Sequence, residues 1–459
     1  MKFLPDTFRL VGLFIVLLTG CLRPELSAAQ VLAAPPATSP PTSLSLPQCL
    51  TYALQNQPVV RQARIDEETA DAEIRIARAA WLPQLGLTAS GQHYFKLPTT
   101  FFPNATTGTN EARQIGVTNT STLGLSGTQV LYNNEVHLAS RGARFTREAA
   151  RQNTANTRIN VVSDVSKAFY DVLLSQRQLA VFNEDITRLQ RNYQDAKARY
   201  DVGIVDKTDY LQAEISLNNS LAGRKQAQES IKAKTAYLQQ LMGIPAERPL
   251  QLQYDTLKLE SEAFIDTTAT VNVAGRIEYQ QLLTQKALQG LTVDYYRMGW
   301  LPSFGAFGNY NSVYQNNSFG DLYRQSFPNS YAGLQATLPI FTGFRRTQNL
   351  RRARLLNNRI DEDITGTRNQ ITTEYATALA SYKGNYSDYL IGKRNLDLAQ
   401  QVYKVVDLQY REGIKAYIDL LVAQTTLRTA QLNYYTSLFQ VLGSKVELQR
   451  TLGALPTDY

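Results

Sequence analysis

The chain is short of the residues from which covalent and metal-held sites are built: its 459 residues include 2 Cys, 2 His, 3 Met and 2 Trp. Beyond the N-terminal leader one cysteine is left, Cys49 in Leu46-Pro47-Gln48-Cys49-Leu50. A lone thiol on an apolar helical face reads as a small core residue. His93 and His137 lack ligand-spaced companions, which argues against a metal centre. No run of roughly 18 apolar residues follows the leader, so no helix is expected to cross a bilayer. A Gly-rich phosphate loop, a nucleophile elbow and a paired acid/base constellation are also missing, so neither catalysis nor a cofactor is expected. The net charge of +8 invites a nucleic-acid reading. Lys and Arg, however, are scattered beside Asp and Glu in the manner of solvated helix faces, and no nucleic-acid partner is expected. The exception is the run Arg345, Arg346, Arg351, Arg352, Arg354, which opens a helix directly after a strand.

What is present begins with a secretory leader over residues 1–20: Lys2 and Arg9 supply the positive start and Leu10 to Leu18 an apolar run too short to anchor. Leu18-Thr19-Gly20-Cys21 resembles a bacterial lipobox, which makes Cys21 the expected lipidation site, favoured over ordinary cleavage near Ser27-Ala28-Ala29. Residues 21–45, rich in Pro, Ala, Ser and Thr, read as a flexible tether.

The remainder is a duplication. Tyr200, Gly203, Ile204, Asp209 and Leu211 return as Tyr410, Gly413, Ile414, Asp419 and Leu421 at a constant offset. Gly203 and Gly413 read as helix stops, since glycine accepts the left-handed conformation at a helix end. Asp206 or Thr208 could cap the helix that follows the first stop. Lys415, Ala416 and Tyr417 offer no such acceptor, so the second helix is expected to start slightly differently.

Each repeat has the same plan. In the first, 46–243, a helix from Leu46 to about Trp81 precedes a β-hairpin over 84–132, in which Leu85, Leu87 and Ala89 alternate with Gln84, Thr88 and Ser90. Lys96 to Asn119 reads as a polar loop inside that hairpin. A helical hairpin over 134–243 follows, its first arm carrying a three-four apolar spacing through Val165, Ala168, Val172, Ile186, Leu189 and Ala196, the seam of a coiled coil. A connector over 244–270 leads to the second repeat, 271–453, with a helix over Val271 to Met298, a hairpin over 302–341 and long helices over 343–453. Ala332, Leu334, Ala336, Leu338 and Ile340 mark one face of its last strand, and Gln315 to Asn329 the loop before it. Residues 454–459 form a tail.

Strands with one apolar and one polar face pose a problem of closure. Facing lipid, every backbone donor and acceptor must pair within the sheet, and four strands cannot close a barrel. Two chains would make a filled eight-stranded barrel. Three, making twelve strands, are the smallest symmetric solution with an open lumen.

The leader, the duplicated helix-strand-strand-helix plan, Trp81-Leu82-Pro83 and Trp300-Leu301-Pro302 before each first strand, and the Tyr-x-x-Gly turns followed by Asp and Leu together resemble the TolC-like outer membrane efflux family. The resemblance spans about Leu46 to Leu452. It implies a mixed membrane α/β fold: a homotrimeric twelve-stranded β-barrel in outer membrane lipid, continued by an antiparallel coiled-coil tunnel in the periplasm. It also implies passive conduction, in a tripartite efflux or type I secretion system, of substrates handed over by an inner membrane pump of RND or ABC type through a periplasmic membrane-fusion adaptor. The adaptor would dock on the turns, at Val202, Gly203, Ile204, Asp209 and Leu211 and at Gly413, Ile414 and Leu421. The family pattern places a gate on Tyr410, Lys415 and Asp419. Where that pattern repeats an aspartate three residues further on, this chain has Val422, and its basic gate residue is a Lys in place of an Arg, which loses bidentate geometry. A trimeric coiled-coil envelope protein without transport is the alternative expectation, and a secreted basic coiled-coil binding protein a third.

Overall fold

The computed structural model describes residues 43–457, apart from 104–107, 109 and 246. The leader, Cys21 and nearly all of the tether lie outside the described residues, and the description below starts at Leu44.

Where the sequence predicts one helix from Leu46 to about Trp81, the chain makes two, α1 (Leu46–Asn56) and α2 (Pro58–Ala79). Between them Gln57 is extended, with φ −60° and ψ 124°. The proline after it disfavours the helical conformation at Gln57, while Pro58 itself fits the first helical position, where no N–H is needed.

The strands β1 (Gln84–His93), β4 (Asn119–Tyr132), β5 (Ser303–Asn316) and β6 (Ser326–Thr337) form one antiparallel sheet in the order β1-β4-β5-β6. The register joins the two repeats side by side: Leu87 faces Leu125, Leu125 faces Tyr310, and Ala306 faces Leu334. On the opposite face Ser126 pairs with Asn309 and Asn311 with Asn329. The segment expected as a plain polar loop holds a further two-stranded ribbon, β2 (Thr99–Pro103) with β3 (Asn110–Gln114). Thr99-Thr100-Phe101-Phe102 is a β-branched and aromatic run whose strand preference outweighs its polar surroundings. The last strand stops at Thr337, short of Leu338 and Ile340, because Pro339 has no N–H to extend the ladder. The loop before it shrinks to 317–325.

From the sheet the chain runs into α3 (Asn134–Asp201), 68 residues and about 100 Å long. Its N-terminus is capped by Asn133, whose side chain accepts from the Glu135 N–H at 2.8 Å. A tight turn reverses it into α4 (Lys207–Met242), ended by Gly243 at φ 73°. The connector holds the short helix α5 (Thr256–Glu262). The helix expected from Val271 is instead a 3₁₀ turn at Val273–Gly275 followed by α6 (Ile277–Arg297). Arg276 between them is extended, and its buried guanidinium donates to Glu278, Glu374 and the Thr451 carbonyl. That satisfied charge fixes the break. Two long helices, α7 (Arg345–Arg411) and α8 (Tyr417–Leu452), then repeat the α3–α4 hairpin, with Gly453 at φ 70° in the place of Gly243.

The main core gathers where these hairpins cross the N-terminal helix. Cys49, Leu50 and Leu54 of α1 pack with Val162, Phe169 and Leu173 of α3, Leu238 and Met242 of α4, and Leu438 and Leu442 of α8. The connector is pinned to this core by Tyr382, whose hydroxyl donates to the Ala263 carbonyl at 2.9 Å and accepts from the Ile265 N–H.

Candidate functional site at the paired helical turns

Both turns have the same backbone. Gly203 and Gly413 sit at φ 78° and 73°. Ile204 N–H donates to the Arg199 carbonyl at 2.9 Å and Ile414 N–H to the Gln409 carbonyl at 2.8 Å, closing each helix with the paired bonds of a Schellman stop. The expected difference in how the next helices begin does not occur: Asp206 and Ala416, the residues before α4 and α8, have φ −75° and −74° and ψ 157° and 159°. Asp206 makes no side-chain cap bond. The glycine stop sets the turn, and the side chain at the cap position is incidental to it.

The turns present apolar side chains to solvent. Val202, Ile204 and Ile414 are 69 %, 70 % and 71 % exposed, with Leu211 also exposed, Leu421 half-buried and Asp209 half-buried. β-carbons would meet nothing at Gly203 or Gly413, so both glycines are there for their backbone conformation.

Of the three residues expected at a gate, two come together. Lys415 Nζ and Asp419 lie 3.7 Å apart, one helical turn separated, each about half exposed. An exposed pair of this kind contributes little to stability. Tyr410 is elsewhere, buried with Ala196, Ala213, Tyr417 and Leu420 in a small second core. Its ring meets that of Tyr417 edge-on at 5.9 Å and lies under the Arg199 guanidinium at 5.1 Å. Burial pushes the hydroxyls of Tyr410 and Tyr417 above the usual tyrosine range. Its counterpart Tyr200 is exposed and its ring lies tilted against that of Tyr210, with centroids 5.0 Å apart.

Sequence reasoning missed a polar node further up the same seam. Asp185 of α3, 1 % exposed, accepts from Ser220 Oγ of α4 at 2.7 Å, from Arg428 Nη1 of α8 at 3.2 Å and from Gln424 Nε2 at 3.4 Å. Gln424 in turn accepts from Asn192 at 2.8 Å, and the Arg188 guanidinium lies 5.8 Å from the Tyr403 ring of α7. Three of the four long helices thus meet at one carboxylate, and α7 reaches the node through Arg188, which lies 3.7 Å from Asp185. The available signal was Asp185 and Asn192, one heptad apart beside Ile186 and Leu189.

His93 pairs with Asn119 at 2.7 Å and His137 is exposed on α3. Among the described residues no group of metal-ligating side chains converges, and no helix is long and apolar enough to cross a membrane.

The family profile for outer membrane efflux proteins matches residues 50–244 and 285–454, most of the chain. The chain is 25 % identical over 421 residues to the probable efflux pump outer membrane protein TtgC of Pseudomonas putida, covering 89 % of this chain and 83 % of that one. With the outer membrane protein TolC of Vibrio cholerae it shares 22 % identity over 430 residues, 90 % and 91 % of the two chains. In fold it is similar to the Campylobacter jejuni CmeC outer membrane channel, with a TM-score of 0.72 at 18 % identity over 90 % of this chain and 87 % of that one. The fold agrees with that of this channel, and the profile decides the family: the chain belongs to the outer membrane efflux protein family, export channels of the bacterial outer membrane whose helices extend into the periplasm and which are not enzymes.

Proposed function

We propose that three copies of the chain close a twelve-stranded barrel and form a passive conduit, fed from an inner membrane pump of RND or ABC type through a periplasmic adaptor. One observation carries this reading. The four-stranded sheet has two open edges, β1 and β6, and an apolar face on which Leu87, Leu125 and Leu334 are exposed. In water that face and those edges invite aggregation; in lipid each unpaired edge group costs several kcal/mol. A cylinder shared among sister subunits removes both costs, and three is the smallest symmetric number that leaves a lumen. The chain then divides into repeats 46–243 and 271–453 about the connector 244–270.

The exposed Val202, Ile204 and Ile414, held out on glycine-stopped turns, give an adaptor an apolar footing at the far end of the helices. Lys415 and Asp419 close the entrance between subunits, and Tyr410 supports them from within the hairpin core. Planar-bilayer recording tests both levels. The wild-type protein passes a small current and Asp419→Ala a larger one. An unchanged current removes the gate assignment, and a wild type that passes none, even with the entrance variant, removes the conduit.

A further inference from the structure

We propose that an arginine-lined cleft at the foot of the barrel binds the phosphate of an anionic phospholipid of the periplasmic leaflet; the inference rests on the outer membrane seat of the strands. The cleft, about 320 Å³, is lined by Arg78 of α2, Ser140, Arg141, Arg144 and Phe145 of α3, and Leu291 of α6. Trp81 Nε1 donates to Ser140 Oγ at 2.9 Å and clamps α2 to α3 at this level.

The charge in the cleft is not balanced from within. Among the described residues neither Arg78 nor Arg144 has a carboxylate partner; Arg144 lies over the Phe145 ring at 4.4 Å. Arg141 reaches Asp294 only at 3.8 Å, and Arg297 holds the same carboxylate at 3.3 Å. The nearby Asp71 is taken by Arg147 at 2.7 Å. Three guanidiniums converge with less than one anion to share, and forked donors of this kind suit a phosphate.

The depth is right for a headgroup. Arg78 precedes β1 by six positions, and Arg141 and Arg144 stand seven and ten positions into α3, so all lie within about 15 Å of the strands. Exposed Trp300, Phe341 and Phe344 stand within seven positions of β5 and β6 at the end of the sheet where Ser303 pairs with Thr337, as aromatic residues do at a membrane surface. The headgroup layer adds about 5–7 Å on each side of the hydrocarbon, and an arginine side chain spans the rest. The run Arg345, Arg346, Arg351, Arg352, largely exposed, continues the basic collar on α7.

The side is right as well. Arg158 lies two heptads beyond Arg144 on α3, and its Nη2 donates to the carbonyl of Thr457 in the C-terminal tail at 2.7 Å. Leu455 of the tail packs against the main core, to which Leu259 and Ala263 of the connector also belong, and the connector crosses α7 at Tyr375 and Tyr382. Segments laid across the helices of a conduit must be outside it. The arginine stripe shares their side and meets lipid, not cargo.

The test is native mass spectrometry of the full protein released from nanodiscs containing phosphatidylglycerol and phosphatidylethanolamine in equal parts. The wild type should retain phosphatidylglycerol selectively, and Arg78→Gln with Arg144→Gln should lose the preference by about fivefold per arginine, while Arg144→Lys keeps most of it. Equal retention of the two lipids by the wild type, or unchanged selectivity in the double variant, overturns the proposal. So does displacement of the lipid by millimolar inorganic phosphate, which would mark a soluble-anion site. If the double variant does not assemble, the single Arg78→Gln and Arg144→Gln variants are read in the same way. Conductance of the same preparations reports the membrane seat separately, so a channel without selective lipid retention fails only the cleft.

Discussion

Asp185→Ala should loosen the two helical hairpins from each other without unfolding either. The carboxylate is 1 % exposed and is the meeting point of Ser220, Gln424 and Arg428. Removing one partner of a buried pair costs about 3–5 kcal/mol, because the other charge is left without an anion. Two features put this case at the lower end. Arg428 keeps a bond to Ser220 Oγ at 2.8 Å, and its side chain is 23 % exposed, so water can reach it. A loss of about 3 kcal/mol in local opening free energy corresponds to an increase on the order of 10²-fold in amide exchange. Hydrogen exchange on the assembled protein should show that increase in α8 between Leu420 and Leu427, and far less in α3 between Val162 and Leu173, which belongs to the main core. Pairing Asp185→Leu with Arg428→Met should recover much of the protection, since the apolar replacement removes both charges of the pair and Arg188, 3.7 Å from Asp185, keeps Glu184 at 3.9 Å. Exchange in α8 that stays within about threefold of wild type would refute the reasoning, because a carboxylate this buried cannot be removed cheaply unless the hairpins are held elsewhere.

Three further outcomes follow from single groups. Burial pushes the Cys49 thiol up to about 12, so a maleimide should leave the folded protein unmodified at neutral pH and label it rapidly in denaturant; labelling of the native protein would place α1 outside the core. Among the described residues the buried Tyr417 hydroxyl has no hydrogen-bond partner, so Tyr417→Phe should stabilise the protein by about 1 kcal/mol, and a lowered melting temperature would reveal a partner for it. Burial tends to raise the Glu260 carboxyl, but hydrogen bonds from Lys393 at 2.6 Å and from Tyr434 prevail and leave it below the usual glutamate range. A depressed folded value means stability that is complete above the unfolded value of about 4.3 and lost as pH falls through the folded one. Exchange protection of the connector should therefore drop on acidification below about pH 4, and Glu260→Gln should flatten that step.

Much of the architecture was readable because duplication shows each signal twice. The offset that carries Gly203 to Gly413 also carries Gly243 to Gly453, and all four end helices in left-handed conformations. Period changes located the four strands of the main sheet. The misses have local causes. Pro58 divides a helix whose apolar spacing runs on unbroken across it, so periodicity alone could not find the break. Pro339 ends a strand whose alternation continues for three more residues. The ribbon Thr99–Pro103 with Asn110–Gln114 lay inside a segment whose Pro, Gly and Asn content masked two short strands.

The candidate site was legible in part. Exposed Ile204 and Ile414 beside glycine stops could be read directly, and the one-turn spacing of Lys415 and Asp419 brought them together. Tyr410 could not be placed from spacing: it shares the seam position of Tyr200, yet Tyr417 and Arg199 enclose one ring while the other stays exposed. The Asp185 node depends on where α8 crosses α3, and no periodicity within a single helix records that.

The most direct test of the central claim is the mass of the particle released from membranes in mild detergent. A sheet with open β1 and β6 edges closed by sister subunits predicts three chains, whose association survives as long as the strands stay folded. A stable single chain with an intact sheet, or a pair, would contradict it.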